Sequence, residues 1–203
     1  MNTILNLEED HTLEDERALL RPLKQDDFQN LLHISLNEPD ICKYSLLNAA
    51  GEENLKNYIN IALREKESGK EYPFIVFDKK ANKYAGSTRF YDINLPFKTL
   101  QLGYTWYAKE FRGTGLNKHC KFLLLSFAFE KLDMERVEFR ADNKNERSIA
   151  AMKSIGCTVE GVLRNHQPTR DAGIRRDSII LSILKDEWFG GVKENLGQQI
   201  SSH

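Results

Sequence analysis

The stretch from Thr99 to Lys131 narrows the folds open to this chain more than any other. Thr99 to Tyr107 is rich in Tyr, Trp and Thr, the content of a strand. From Asn117 to Lys131 the pattern changes to helical spacing, with Leu116, Cys120, Leu123, Leu124, Phe127 and Ala128 recurring and Phe122, Leu125 and Phe129 widening the apolar surface. Between them lies Phe111-Arg112-Gly113-Thr114-Gly115-Leu116-Asn117. Glycines let successive backbone N–H groups converge on one point, and a helix N-terminus adds a positive dipole. Such a loop suits a phosphate or pyrophosphate, and a plain strand-to-helix turn is the alternative. It is not a Walker A loop, because no Gly-Lys-Ser/Thr closes it, and it is not GxGxxG.

The rest of the chain places this unit in a mixed sheet. Ala18 to Leu23 reads as a first strand, ended by Pro22. Gln25–Asn37 and Glu52–Ser68 read as helices, the second carrying Leu55, Ile59, Ala62 and Leu63 on one face and stopping at Gly69. Tyr72–Phe77 and Tyr84–Asp92 flank a polar turn and predict an antiparallel hairpin. After the long apolar helix come a strand at Arg136–Ala141, a helix at Asn145–Ile155 closed by Gly156, and strands at Val159–Leu163 and Ser178–Leu184 around a polar loop, Arg164–Asp177. The order βααβββαβαββ predicts an α/β (α+β) fold, a mixed and mostly antiparallel sheet with helices on both faces. An all-parallel dinucleotide fold and a helical bundle are excluded.

Length and charge set further bounds. A chain of 203 residues suits one domain with a sizeable core, expected over residues 17–190. Residues 1–16 contain Glu8, Glu9, Asp10, Glu14, Asp15 and Glu16 without a Lys or Arg, the pattern of a solvated, partly helical arm. Residues 191–203 are polar and predict a fraying tail. A net charge of −1 gives no reason to expect nucleic acid. No apolar run approaches the roughly 20 residues of a membrane span, and a secretory leader pattern is missing, so a cytoplasmic location is expected. Cys42, Cys120 and Cys157 suit buried thiols rather than a disulfide framework or a zinc site, and no metal is expected.

Later motifs carry a resemblance. Asn145-Glu146-Arg147-Ser148, then Ala151, Lys153, Gly156, Glu160-Gly161 and Arg164, and finally Arg176-Asp177-Ser178 leading to Leu184-Lys185-Asp186-Glu187-Trp188, stand in order downstream of the glycine loop. Together these closely resemble the GNAT superfamily, in the RimJ/RimL-type branch that acetylates N-termini of ribosomal proteins. The resemblance spans about residues 17–188. Its acetyl-CoA loop reads Arg/Gln-x-x-Gly-x-Gly/Ala; Arg112 and Gly115 hold the first two places, and Asn117 stands where a small residue is usual.

The resemblance implies a GNAT fold and an N-acetyltransferase that uses acetyl-CoA and an amine acceptor, either a protein N-terminus or a small molecule. It implies a coenzyme site at Trp106, Tyr107, Arg112, Gly113, Thr114, Gly115, Leu116, Asn117 and Asn145, with a backbone N–H near Trp106 or Tyr107 polarising the acetyl carbonyl. The superfamily's thiolate-protonating tyrosine falls at Met152 here, which cannot donate a proton. Ser148, one turn earlier on the same face, is the expected substitute. A hydroxyl bonded to backbone is its plain alternative. His166, placed in the loop between the last strands, is a candidate base. Water, or an amine arriving neutral, would serve equally. Lys118 and Lys121 would meet coenzyme phosphates or simply be solvated; His33 and His119 read as helix-surface residues. Tyr91, Tyr104, Trp106 and Tyr107 are candidate lining for the acceptor pocket. A homodimer is allowed. The competing classes are a coenzyme-binding module without catalysis and a phosphate site for another nucleotide.

Overall fold

Strand β5 (Thr99–Tyr107) runs parallel to β6 (Arg136–Asp142) over only three pairs, Thr99–Arg136, Leu100–Val137 and Gln101–Glu138. Beyond Gln101 the two strands separate, and that opening organises the molecule. The computed structural model describes residues 9–170 and 173–201. Its eight-stranded sheet has the order β1-β2-β3-β4-β5-β6-β8-β7. The other strands are β1 (Leu13–Glu14), β2 (Ala18–Pro22), β3 (Tyr72–Asp78), β4 (Lys83–Asn94), β7 (Thr158–Pro168) and β8 (Arg175–Leu184). Every pairing except β5–β6 is antiparallel.

The helices are α1 (Asp27–Asn37), α2 (Glu52–Glu67), α3 (Leu116–Ser126), α4 (Glu146–Ser154), the short α5 (Lys185–Glu187) and α6 (Lys193–Ser201). The apolar helix predicted over residues 117–131 is α3 continued by a wide turn, Phe127–Lys131. It is covered on two sides: Leu116, Leu124 and Leu125 are fully buried, and α6 packs along it with Leu196 enclosed. The indole of Trp188, fully buried, stacks on Phe129 at 5.7 Å and meets Phe122 at 6.0 Å.

Both chain ends differ from expectation. Residues 1–8 lie outside the described residues, but Leu13–Glu14 pair with β2 instead of forming a solvated or helical arm. Asp15 explains this. Its Oδ1 accepts from the N–H groups of Arg17 and Ala18 at 2.8 and 2.7 Å, and its Oδ2 lies 2.8 Å from Nδ1 of His119. His119 is therefore buried against the arm rather than at the helix surface. At the other end, Lys193–Ser201 is a helix docked on α3, not a fraying tail.

The polar segment read as a loop over residues 164–177 is mostly strand. Strand β7 continues to Pro168 and β8 starts at Arg175, because Gln167 and Pro168 still pair with Arg176 and Arg175. His166 therefore sits on a strand, not in a loop. No helix among the described residues is long and apolar enough to cross a membrane.

Candidate active site

The gap between β5 and β6 opens into a cleft of about 1070 Å³. One end is formed by the glycine loop and α4. The other is formed by the segment Asp40–Leu46, Glu71, Tyr91, Tyr104 and Arg176.

A β-bulge shapes the β5 wall. Ser87 pairs with Trp106 and Arg89 with Gly103, so Tyr104 and Thr105 together face the single residue Thr88. Tyr104 takes the left-handed conformation, φ 48°. The Trp106 carbonyl is turned toward β4, so close to Gly86 that a Cβ there would lie 2.0 Å from it. The N–H of Ala108 likewise bonds to the Ala85 carbonyl on β4. Because backbone groups alternate along a strand, the Tyr107 and Thr105 N–H groups point to the open edge. Of the pair named from sequence, Tyr107 rather than Trp106 presents a backbone donor to the cleft, while both residues line it.

The loop after β5 is a short 3-10 turn, Lys109–Phe111, and then the glycines. Gly113 and Gly115 have φ of 77° and 90°, values that only glycine adopts without strain. Gly115 caps α3 with no side chain on its first N–H groups; Lys118 N–H turns back to the Gly115 carbonyl, which leaves those of Leu116 and Asn117 for an anion. Nothing lies within 4 Å of a Cβ built on Gly113, so the cradle is open. Arg112 lines the same cleft, but its guanidinium is engaged by the protein. Its Nε donates to the Tyr107 carbonyl at 2.9 Å and it pairs with Glu38 at 2.9 Å, so the guanidinium ties loop to strand and to α1. Thr114 Oγ1 donates to the Phe111 carbonyl, and Leu116 is buried in the core; neither lines the cleft.

Across the gap, Asn145 caps α4 and its Oδ1 accepts from the Ser148 N–H at 3.2 Å. Asn145 and Ser148 both line the cleft. No hydrogen bond among the described residues uses the Ser148 hydroxyl. Met152, on the same face, is buried below it.

His166 is not brought to the wall. Its Nδ1 lies 3.0 Å from Ser178 Oγ, and partial burial with Arg140, Arg176 and Arg175 nearby lowers its pKa. Its neighbour Gln167 faces the cleft instead. Glu71, which sequence reasoning missed, is half-buried at the end of the cleft away from the glycine loop. Burial raises its pKa although Arg89 lies beside it. The Arg89 guanidinium is itself enclosed between the rings of Tyr58 and Tyr104, 4.5 and 4.4 Å from their centroids. Tyr91 meets Tyr104 edge-on at 5.0 Å. All four aromatics named from sequence line the cleft. Lys118 is half-buried at its edge, whereas Lys121 is buried inside, neither solvated nor placed on the loop.

Comparison with known proteins agrees with this geometry. The family profile described as "Acetyltransferase (GNAT) domain" matches residues 17–158, well over half of the chain. The chain belongs to the GNAT acetyltransferase family. It is an N-acetyltransferase, as the names of its curated relatives agree. YdaF of Bacillus subtilis (strain 168), named for a provisional ribosomal N-acetyltransferase activity, is 33% identical over 105 residues, covering 52% of this chain and 56% of that relative. The crystal structure of a provisional acetyltransferase from T. thermophilus superposes with a TM-score of 0.83 at 32% identity, covering 93% of this chain and 96% of that one. Mycobacterium smegmatis RimJ in complex with CoA-disulfide shares the fold, with a TM-score of 0.77 at 17% identity over 94% of this chain and 93% of that one.

Proposed function

We propose that the protein moves an acetyl group from acetyl-CoA to a primary amine by direct attack on the thioester. The observation that carries this reading is the free edge of β5 lying opposite the Asn145–Ser148 turn, with an uncapped helix N-terminus and two left-handed glycines at one end. These features fit a long ligand that has an anionic head and an extended arm able to pair with a strand edge. That a RimJ structure holds a CoA species supports the same choice.

In this reading, backbone N–H groups at Gly113–Asn117 hold the pyrophosphate. Arg112 and Thr114 fix the loop, and Leu116 anchors its helix. The open-edge N–H groups of Thr105 and Tyr107 hold the arm and polarise the acetyl carbonyl, an effect worth about 3–4 kcal/mol where such a donor is well placed. Asn145 orients the α4 turn, and the free Ser148 hydroxyl hydrogen-bonds the departing sulfur. Bringing amine and thioester together supplies up to roughly 7–11 kcal/mol. For the amine's proton we favour Glu71 over His166. Glu71 lines the cleft and burial raises its pKa toward neutrality, whereas His166 lies off the wall among arginines.

The acceptor class covers protein N-termini and small amines, and the word ribosomal in the name of YdaF supports the first. We propose residues 17–190 as the catalytic domain, with the cytoplasm, which suits three free buried thiols, as its location. A homodimer would use edge strand β7, where Val159, Val162 and Leu163 are exposed.

Thiol release from acetyl-CoA across a panel of amines and short peptides, with calorimetry of acetyl-CoA alone, tests the whole reading. Binding without release from any acceptor would instead support a non-catalytic coenzyme-binding module. No binding would remove the coenzyme assignment.

A further inference from the structure

Lys121 is the one cleft-lining cation among the described residues that is nearly fully buried, at 5% exposure, and has no carboxylate beside it. Its Nζ donates to Thr105 Oγ1 at 2.9 Å, and that oxygen lies 2.7 Å from Thr88 Oγ1. The hydroxyl pair gives the ammonium an acceptor but no counter-charge. An isolated buried cation costs several kcal/mol. Burial accordingly pulls the Lys121 pKa down to about 8. A core lysine that only packed would be better replaced by methionine or leucine, so the charge needs a partner that arrives with the ligand.

The position of Nζ says which part of the ligand that is. Thr105 belongs to the bulge at the open edge of β5, two residues before Tyr107. Thr105, Lys121, Ser148 and Met152 line the same cleft. The phosphates belong at Gly113–Asn117, one turn earlier on α3 and beyond the end of β5. The ligand atom that gains negative charge in the middle of the cleft is the sulfur.

Resting on the acetyl-CoA reading above, we infer that Lys121 is the cationic partner of the coenzyme sulfur as it departs. As the amine nitrogen bonds to the acyl carbon, the C–S bond breaks and its electron pair stays on sulfur. The amine's proton goes to Glu71 or to water. The Lys121 ammonium neutralises the thiolate, a charge the Ser148 hydroxyl can hydrogen-bond but not balance.

The test reads the thiol of CoA directly. The protein saturated with CoA is titrated by the ultraviolet absorbance of thiolate, with protein alone subtracted. The titratable groups around Lys121 do not interfere. Cys120 and Cys157 are pushed up to about 12 by burial, and Tyr107, buried against Cys120, is raised as well. Cys42, elsewhere in the cleft, is raised by the same cause.

A free thiol titrates near about 8.5. Bound CoA is expected to titrate at least about one unit lower, roughly tenfold more thiolate at neutral pH. Lys121→Met should return it to the free value while CoA still binds, and Lys121→Gln serves if the first variant folds poorly. Bound CoA titrating like free CoA in the wild-type protein overturns the inference, and so does a lowered titration that survives both substitutions. Failure of CoA to bind at all, seen by calorimetry, removes the coenzyme reading and this inference with it.

Discussion

At the scale of single residues, backbone conformation and burial decide what each side chain can do. Gly115 is left-handed at the head of α3, so any other residue costs about 1–2 kcal/mol in strain, less for Asn or Asp. Gly115→Glu adds a negative charge where an anion should sit. It is expected to abolish acetyl-CoA binding by calorimetry, while Gly115→Asn keeps most of it; unchanged affinity in the glutamate variant would falsify the cradle. Ser148→Ala should lower turnover at least tenfold with acetyl-CoA affinity within about twofold, because in the proposed reaction its hydroxyl meets only the departing sulfur. Lys121 makes a prediction without any ligand. Its pKa is near 8 folded and about 10.4 unfolded, so between those values the unfolded chain binds more protons and stability rises with pH. Below 8 both states are charged and the folded state bears the whole penalty. Urea unfolding from pH 7 to 10 should show this rise, and Lys121→Met should be flat in that window and more stable at pH 7.

At the scale of elements, what was legible in the sequence follows the strength of the local period. Strand β5 was read with its own bounds, and α1, α2 and α4 were read to within two residues at either end, because their apolar faces repeat cleanly. The outer halves of β7 and β8 were not legible. They carry Arg164, Asn165, Arg175 and Arg176 and are strands only because their backbones pair with each other. The docked α6 was hidden for the opposite reason, since Leu196 is its one fully enclosed apolar residue and the rest reads as polar tail. The end of the cleft proposed for the coenzyme is built from two compact motifs that the sequence displays, the loop and α4. The opposite end left no such signal, since Glu71, Tyr91 and residues 40–46 meet only in the fold. Lys121 left a usable trace: it stands in register with Leu124 and Leu125 on the buried face of α3, where a solvated lysine does not belong. The α5–α6 region has its own consequence. Trp188→Ala should cost about 3–5 kcal/mol in denaturant unfolding by emptying the space against Phe122 and Phe129. A loss under about 1 kcal/mol would mean that the C-terminal helices add little to the core.

At the scale of the whole molecule, the three-residue parallel contact between β5 and β6 divides one sheet into two halves that share a cleft. The end proposed for the coenzyme is closed by short-range structure, the loop and α4. The end proposed for the acceptor is closed by contacts between distant parts of the chain. The Arg170 guanidinium donates to the Cys42 carbonyl at 2.8 Å and Arg176 to the Tyr44 carbonyl at 3.3 Å, so the β7–β8 hairpin holds the α1–α2 connection over the cleft. Arg176 also lines the cleft and is half-buried, and burial lowers its pKa without neutralising a guanidinium. The two ends should therefore respond separately to substitution. Hydrogen bonds to a charged group contribute about 1.5–3 kcal/mol when well formed, and the longer Arg176 contact belongs at the low end, near a tenfold effect. Arg176→Gln is expected to raise the acceptor KM about tenfold while the acetyl-CoA Kd stays within twofold. Gly115→Glu should do the reverse, removing coenzyme affinity without disturbing the hairpin. If Arg176→Gln instead weakens acetyl-CoA and leaves the acceptor KM alone, the coenzyme and acceptor ends have been assigned the wrong way round.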